Sequence, residues 1–167
     1  NGATGSAGGT GMTRGTGTSS NTLIVTGSGT TFNGHTHNLG DDDCQAHVYV
    51  LDGGSILADD FNVAKTAGTN SNCSVTINGT GSSISMNYSA YFGGTSGGSG
   101  GNARVTVEEG GTWTIGNLGA GLRVYDTATV AFGLGNGSLI SNTDNVIIDD
   151  NATIEVEADS GETLVEG

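Results

Sequence analysis

The stretch HTHNLGDDDCQAH, residues 35 to 47, holds the densest set of chemically active side chains in the chain: His35, His37, Asp41, Asp42, Asp43, Cys44 and His47. Two histidines at i and i+2 fall on one face of an extended strand and could ligate a transition metal, while three adjacent carboxylates could hold calcium. Neither zinc ligand spacing nor an EF-hand or glycine-aspartate calcium repeat accompanies them, so an acidic solvated loop accounts for the same residues and no cofactor is expected. Cys44 and Cys73 lie four and two residues before two successive apolar runs, a placement that brings a disulfide within reach. Two buried free thiols are the alternative.

Acid and base catalysis on a sugar would need paired carboxylates above a groove, and Asp59 with Asp60 or Asp149 with Asp150 are the pairs available. Neighbouring residues of a strand point to opposite faces, so neither pair readily acts on one bond. One Trp and four cations offer little to grip a sugar or stabilise an anion. An ice-binding face would need a Thr-X-Thr ladder once per repeat, and only Thr16/Thr18, Thr112/Thr114 and Thr127/Thr129 match, at different repeat positions. Five Asn-X-Ser/Thr triplets (Asn72, Asn78, Asn87, Asn136, Asn151) are close to what so much Asn, Ser and Thr supplies by chance, and imply no glycosylation.

The elements that must position these residues follow from composition. Gly (32), Thr (23), Ser (16) and Asn (15) make up about half of the 167 residues, and Pro is absent. Gly is the worst ordinary helix former, and Ser, Thr and Asn offer the backbone competing hydrogen bonds, so helix is excluded over most of the chain. Short Val/Ile/Leu/Tyr/Phe runs within the 34% apolar content argue for strands rather than disorder. Net charge is −13, with 17 acids against Arg14, Lys65, Arg104 and Arg123, so nucleic acid is an unfavourable partner. No apolar run approaches the length of a membrane span, so no membrane insertion is expected. Beginning at Asn1, the chain reads as a processed mature protein or an excised fragment, and its low Lys content and Asn/Gly/Thr/Ser richness fit an exported one.

A repeat organises the strands. LIVTGSGTTF from Leu23, VYVLDGGSIL from Val48, VTINGTGSSI from Val75, VTVEEGGTWT from Val105, VAFGLGNGSLI from Val130 and IEVEADSGETL from Ile154 share a strand, a glycine turn and a second strand, at spacings of 25, 27, 30, 25 and 24 residues. A third apolar cluster follows each at about 15 to 19 residues, for example Tyr91 with Phe92. A unit this short cannot bury its own apolar side chains and must stack on a neighbour. The expectation is an all-β fold, a right-handed parallel β-solenoid (β-helix) of about six coils, over residues 21–167. Its core ladder would run through Val25, Val50, Ile77, Val107, Phe132 and Val156, with Phe32, Ile56, Ile84 and Trp113 at the next corner. Residues 1–20 are expected to be a flexible Gly/Thr/Ser-rich segment.

Four of these stretches, VTGSGTTF (25–32), VTINGTGSSI (75–84), YFGGTSGGSGG (91–101) and VTVEEGGTWTIG (105–116), resemble the glycine-rich passenger repeats of autotransporter-type bacterial surface proteins. The resemblance covers about residues 21 to 140 and implies export, a β-helix, and adhesive or structural work at a cell surface. This chain departs from that pattern in lacking a membrane barrel segment and in having few coils.

No capping element is evident at either end of the repeat array, and terminal coils of a solenoid expose unpaired backbone over an apolar core. The functional expectation is therefore an extracellular or cell-surface structural protein that assembles head to tail with copies of itself into a filament or matrix, without catalysis. An adhesin fragment binding surface glycans through loops such as 93–102 is the alternative, and a polysaccharide-acting β-helix enzyme the lesser one.

Overall fold

The computed structural model describes residues 2–7, 10–11, 19–41, 44–68 and 71–156. The chain winds as a β-solenoid of three parallel six-stranded sheets, which form three faces around one core. The first face stacks Thr4–Ala7, Thr31–Gly34, Ser55–Ala58, Ser83–Met86, Thr112–Ile115 and Ser138–Ser141. The second stacks Thr10–Gly11, Thr36–Asn38, Asp60–Val63, Ala90–Phe92, Leu122–Val124 and Val146–Ile148. The third stacks Ser20–Thr26, Gln45–Leu51, Asn72–Asn78, Asn102–Glu108, Ala128–Phe132 and Thr153–Val156. Six rungs, five steps apart from first to last, thus carry every strand directly above its counterpart. Among the described residues the single helical element is the short 3₁₀ turn Leu134–Asn136.

Register fixes the core. On the third face Val25, Val50, Ile77, Val107, Phe132 and Val156 are partners in unbroken succession, as the apolar alternation requires. A parallel row runs through Leu23, Val48, Val75, Val105, Val130 and Ile154. On the first face the inward row is Gly5, Phe32, Ile56, Ile84, Trp113 and Leu139. Trp113 is completely buried. It meets the edges of Phe61 and Phe92, with ring centroids at 5.2 and 4.9 Å, and donates its indole N–H to Met86 Sδ at 2.9 Å. Ala90, in register beside Phe61, leaves room for these rings to meet across the narrow interior.

The corner between the third and first faces explains the glycines. Asp52 and Gly53, and again Glu109 and Gly110, take positive φ (51° and 83°, 51° and 77°), closing a turn in which Gly54 N–H donates to Leu51 O and Gly111 N–H to Glu108 O, each at 2.9 Å. The next glycine answers a different demand. A Cβ on Gly54 would lie 2.5 Å from Val25 O, and one on Gly111 would lie 2.8 Å from Ile77 O. Both oxygens belong to the rung beneath, so close stacking at the corner admits only glycine there.

The solenoid begins earlier than the apolar pattern suggests. Thr4–Ala7 pairs with Thr31–Gly34, and Thr10–Gly11 with Thr36–Asn38, so two strands of the first rung lie inside the segment expected to be flexible. Backbone ladder bonds to a formed rung hold a strand whose side chains carry no apolar signal. Repeat length varies at the corners: residues 93–101 join the second face to the third and form the hairpin Gly94–Thr95 with Gly98–Ser99, and residues 116–121 join the first face to the second. Because Trp113 joins three rungs, Trp113→Ala should destabilise the fold by about 3–5 kcal/mol, measured by denaturant unfolding.

Candidate functional site

The corner between the first and second faces passes through His35 and separates the two histidines. His35 turns outward, with Nδ1 2.5 Å from Asp59 Oδ2, whereas His37 points inward, 1% exposed, between the rings of Phe32 and Phe61 at 5.5 and 5.2 Å. The expectation that both share one face is corrected: strand alternation does not survive a bend at the residue between them. Asp41 is occupied by Lys65 Nζ at 2.9 Å and Thr66 Oγ1 at 3.1 Å. Asp42 and Asp43 lie outside the described residues. Among the described residues no three His, Cys, Asp or Glu side chains come together as metal ligands.

The two cysteines stand in successive rungs without a bond between them. Cys73 is in register with Ala46, two residues beyond Cys44. Cys44 Sγ–H donates to Asp41 O at 2.7 Å, and Cys73 Sγ faces Cys44 O at 3.8 Å. The expected disulfide is therefore corrected: the two buried thiols, displaced along the strand by this offset, are not joined by a disulfide. Burial pushes the Cys73 thiol up, away from the reactive thiolate.

The carboxylates of Asp59 and Asp60 are also divided by a corner. Asp59 accepts from Asn87 Nδ2 at 2.8 Å and faces a groove with Leu57 and Ser85, while Asp60 accepts from Ser89 N–H at 3.1 Å and faces a separate groove with Asn62 and Tyr91. Asp149 and Asp150 line one cleft with Asp126, and Asp149 is bound by Arg123 at 3.0 Å, whose guanidinium lies 4.5 Å above the Tyr125 ring. Thr16 and Thr18 lie outside the described residues, and Thr127 donates to Gly101 O at 2.7 Å. Thr112 belongs to a row that sequence reading missed: Thr4, Thr31, Ser55, Ser83, Thr112 and Ser138 are in register on the outer first face. The signal was present as the Ser or Thr at the start of each post-turn strand. The neighbouring outward row mixes Ser6, Asn33, Leu57, Ser85, Thr114 and Ile140, so no Thr-X-Thr ladder forms.

The least satisfied surface is the last rung. Leu122 and Val124 of rung five are 5% and 0% exposed, yet their register partners in rung six, Val146 and Ile148, are 45% and 49% exposed. Val156, the end of the third-face ladder, is 46% exposed. Together with Leu122, Val124, Phe132, Leu139 and Ile154, Val146 and Ile148 surround an apolar depression of about 210 Å³. Nothing among the described residues pairs with the outer edge of these strands. No protein-family model, curated protein or solved structure matches this chain.

Two outcomes test the interior. A thiol reagent should titrate two cysteines per chain in denaturant without reductant, and neither rapidly in the native protein. Burial lowers the His37 pKa from 6.5, so the unfolded chain binds the extra proton. Its contribution to stability is complete above about pH 6.5 and is lost as pH falls through the lowered value, by at most about 1.4 kcal/mol per pH unit. His37→Leu should remove that component from the stability–pH profile.

Proposed function

We propose that this protein is an extracellular structural β-solenoid that stacks head to tail with copies of itself into a filament or surface matrix, and that it performs no catalysis. The observation that carries the reading is the exposure of Val146, Ile148 and Val156 at ladder positions that are otherwise core. A second copy placed with its first rung on this one continues all three sheets, so that Leu23 and Val25 of the incoming copy meet Ile154 and Val156. Ladder hydrogen bonds then extend over three strands, and the apolar depression closes.

Magnitudes set the regime. Covering three half-exposed aliphatic side chains contributes roughly 1 kcal/mol each, against an association cost of about 4–15 kcal/mol, so the strand pairing must supply the remainder. Assembly is accordingly concentration-dependent. The composition, the scarcity of cations and the resemblance of the repeats to passenger domains support export and a surface location. No helix among the described residues is long and apolar enough to cross a membrane.

Static light scattering and negative-stain imaging should show threads that lengthen with protein concentration. Ile148→Lys combined with Val156→Lys should leave monomers, because buried unpaired charges would then face the incoming rung. Leu57→Lys, at a residue 47% exposed on the outer first face of the third rung, should leave the threads unchanged. Purified wild-type protein that remains monomeric at millimolar concentration would refute the reading.

A further inference from the structure

The second face carries a groove that the stacking function does not use. Its floor is formed by Thr36, Asp60, Asn62 and Tyr91 from three successive rungs, with Lys65 beside them, and its volume is about 370 Å³. That lies within the range of small-ligand sites, roughly 300–1,000 Å³. Three rungs measure about 10 Å along the solenoid axis, enough for about two sugar rings.

One wall is the hairpin Gly94–Thr95 with Gly98–Ser99, which contributes Thr95 and Ser96 to the lining. This wall is built into the fold. The Tyr125 hydroxyl donates to Thr95 O, and the Tyr125 ring lies so close that a Cβ on Gly94 would approach it to 2.7 Å. At its base Gly100 N–H donates to Gly93 O at 2.5 Å, and Gly101 N–H donates to Ala64 O at 2.9 Å.

The lining decides the class of ligand. The inner strands of the floor, Asp60–Val63 and Ala90–Phe92, are paired on both sides, and Thr36–Asn38 is paired with the strands before and after it, so no free backbone edge accepts a peptide strand. A ligand must therefore bond to side chains. Those present supply both donors and acceptors: the hydroxyls of Thr36, Tyr91, Thr95 and Ser96, the Asn62 amide, the Lys65 ammonium and the Asp60 carboxyl. Asn62 spends one N–H on Asn38 Oδ1 at 2.7 Å, and Lys65 one on Asp41, which leaves each with further donors. Asp60 accepts Ser89 N–H on one oxygen, and burial pushes its carboxyl above the usual carboxylate range. This mixture matches vicinal hydroxyls, which donate and accept at each carbon. The net charge of −13 disfavours sulfated, phosphorylated or uronic chains.

We propose that this groove binds a neutral carbohydrate chain, with Asp60 and Asn62 holding adjacent ring hydroxyls and Thr95 and Ser96 of the hairpin closing over the same rings. The proposal is independent of stacking, and it is tested on the monomeric Ile148→Lys/Val156→Lys protein so that failure of one reading leaves the other standing. Calorimetric titration with maltohexaose, cellohexaose, mannohexaose and N-acetylchitohexaose, beside hexagalacturonate as an anionic probe, should show one site per chain for at least one neutral oligosaccharide. Asp60→Asn should weaken that site by about 10-fold or more, as expected for loss of a charged hydrogen bond. Ser96→Ala, at the exposed hairpin tip where folding is not at stake, should weaken it by about 2- to 5-fold. Asp59→Asn, whose carboxylate faces the other groove, should leave it unchanged. The proposal is overturned if no neutral probe binds, if hexagalacturonate binds more tightly than the neutral set, or if Asp59→Asn and Asp60→Asn weaken binding equally.

Discussion

Parallel pairing of each rung on the next, in fixed register, is the constraint from which the remaining features follow. A rung contributes only a few inward side chains, too few to offset the cost of ordering some 25 residues, until equivalent side chains lie above and below it. Stacking like on like supplies those neighbours at about 4.8 Å spacing. Leu23, Val48, Val75, Val105, Val130 and Ile154 form one such column, and the ladder through Val50 and Ile77 another. The same spacing brings the corner of one rung against the carbonyls of the rung beneath. Gly54 and Gly111 are therefore required by closeness rather than by backbone angle. High glycine content, which argues against a stable helix, is here a condition of close stacking.

The parts of this fold legible in the sequence are those in which side-chain type encodes position. Valine and isoleucine at i and i+2 before a glycine turn placed the third-face ladder and the Trp113 corner correctly. The first two strands of the first rung were not legible, because Thr4–Ala7 is held by its backbone and its sequence carries no apolar pattern. Corners were not legible either, and each misplaced chemical residue sits at or beside one. The bend at His35 sends His37 into an aromatic stack, and a two-residue offset separates Cys44 from Cys73. The Ser/Thr row of the first face was present in every repeat, yet only the register shows that six hydroxyls align.

Outward positions obey the same stacking rule, with different consequences. Side chains of like polarity form axial rows, in which Thr31 and Ser55 share a hydrogen bond at 2.9 Å and Asn72 accepts from Asn102 at 3.0 Å. Such rows satisfy one another and leave little reactive chemistry on the surface. Departures arise where residues are inserted at corners: residues 93–101 between the second and third faces and 116–121 between the first and second lengthen the chain without changing register on any face. The hairpin at 94–99 is the largest of them, and it converts a flat face into a walled groove. The ladder residues hold the rungs, and the corners are free to vary in length.

Among the described residues nothing pairs with the outer edges of the first and sixth rungs, and the proposed stacking would continue the ladder there. In a two-fold, tail-to-tail contact the last-rung strands would meet with opposed directions, and the like-on-like columns would be lost. It would also bring together the acid-rich C-terminal regions, where nine acidic residues and no Lys or Arg follow Arg123. A head-to-tail contact keeps every strand parallel and places that region against the first 40 residues, whose only charged side chain is Arg14. Repulsion between like charges and the demand for parallel register therefore select the same geometry. A contact that repeats its own translation along the axis does not close, so the proposed head-to-tail stacking would give a thread rather than a ring.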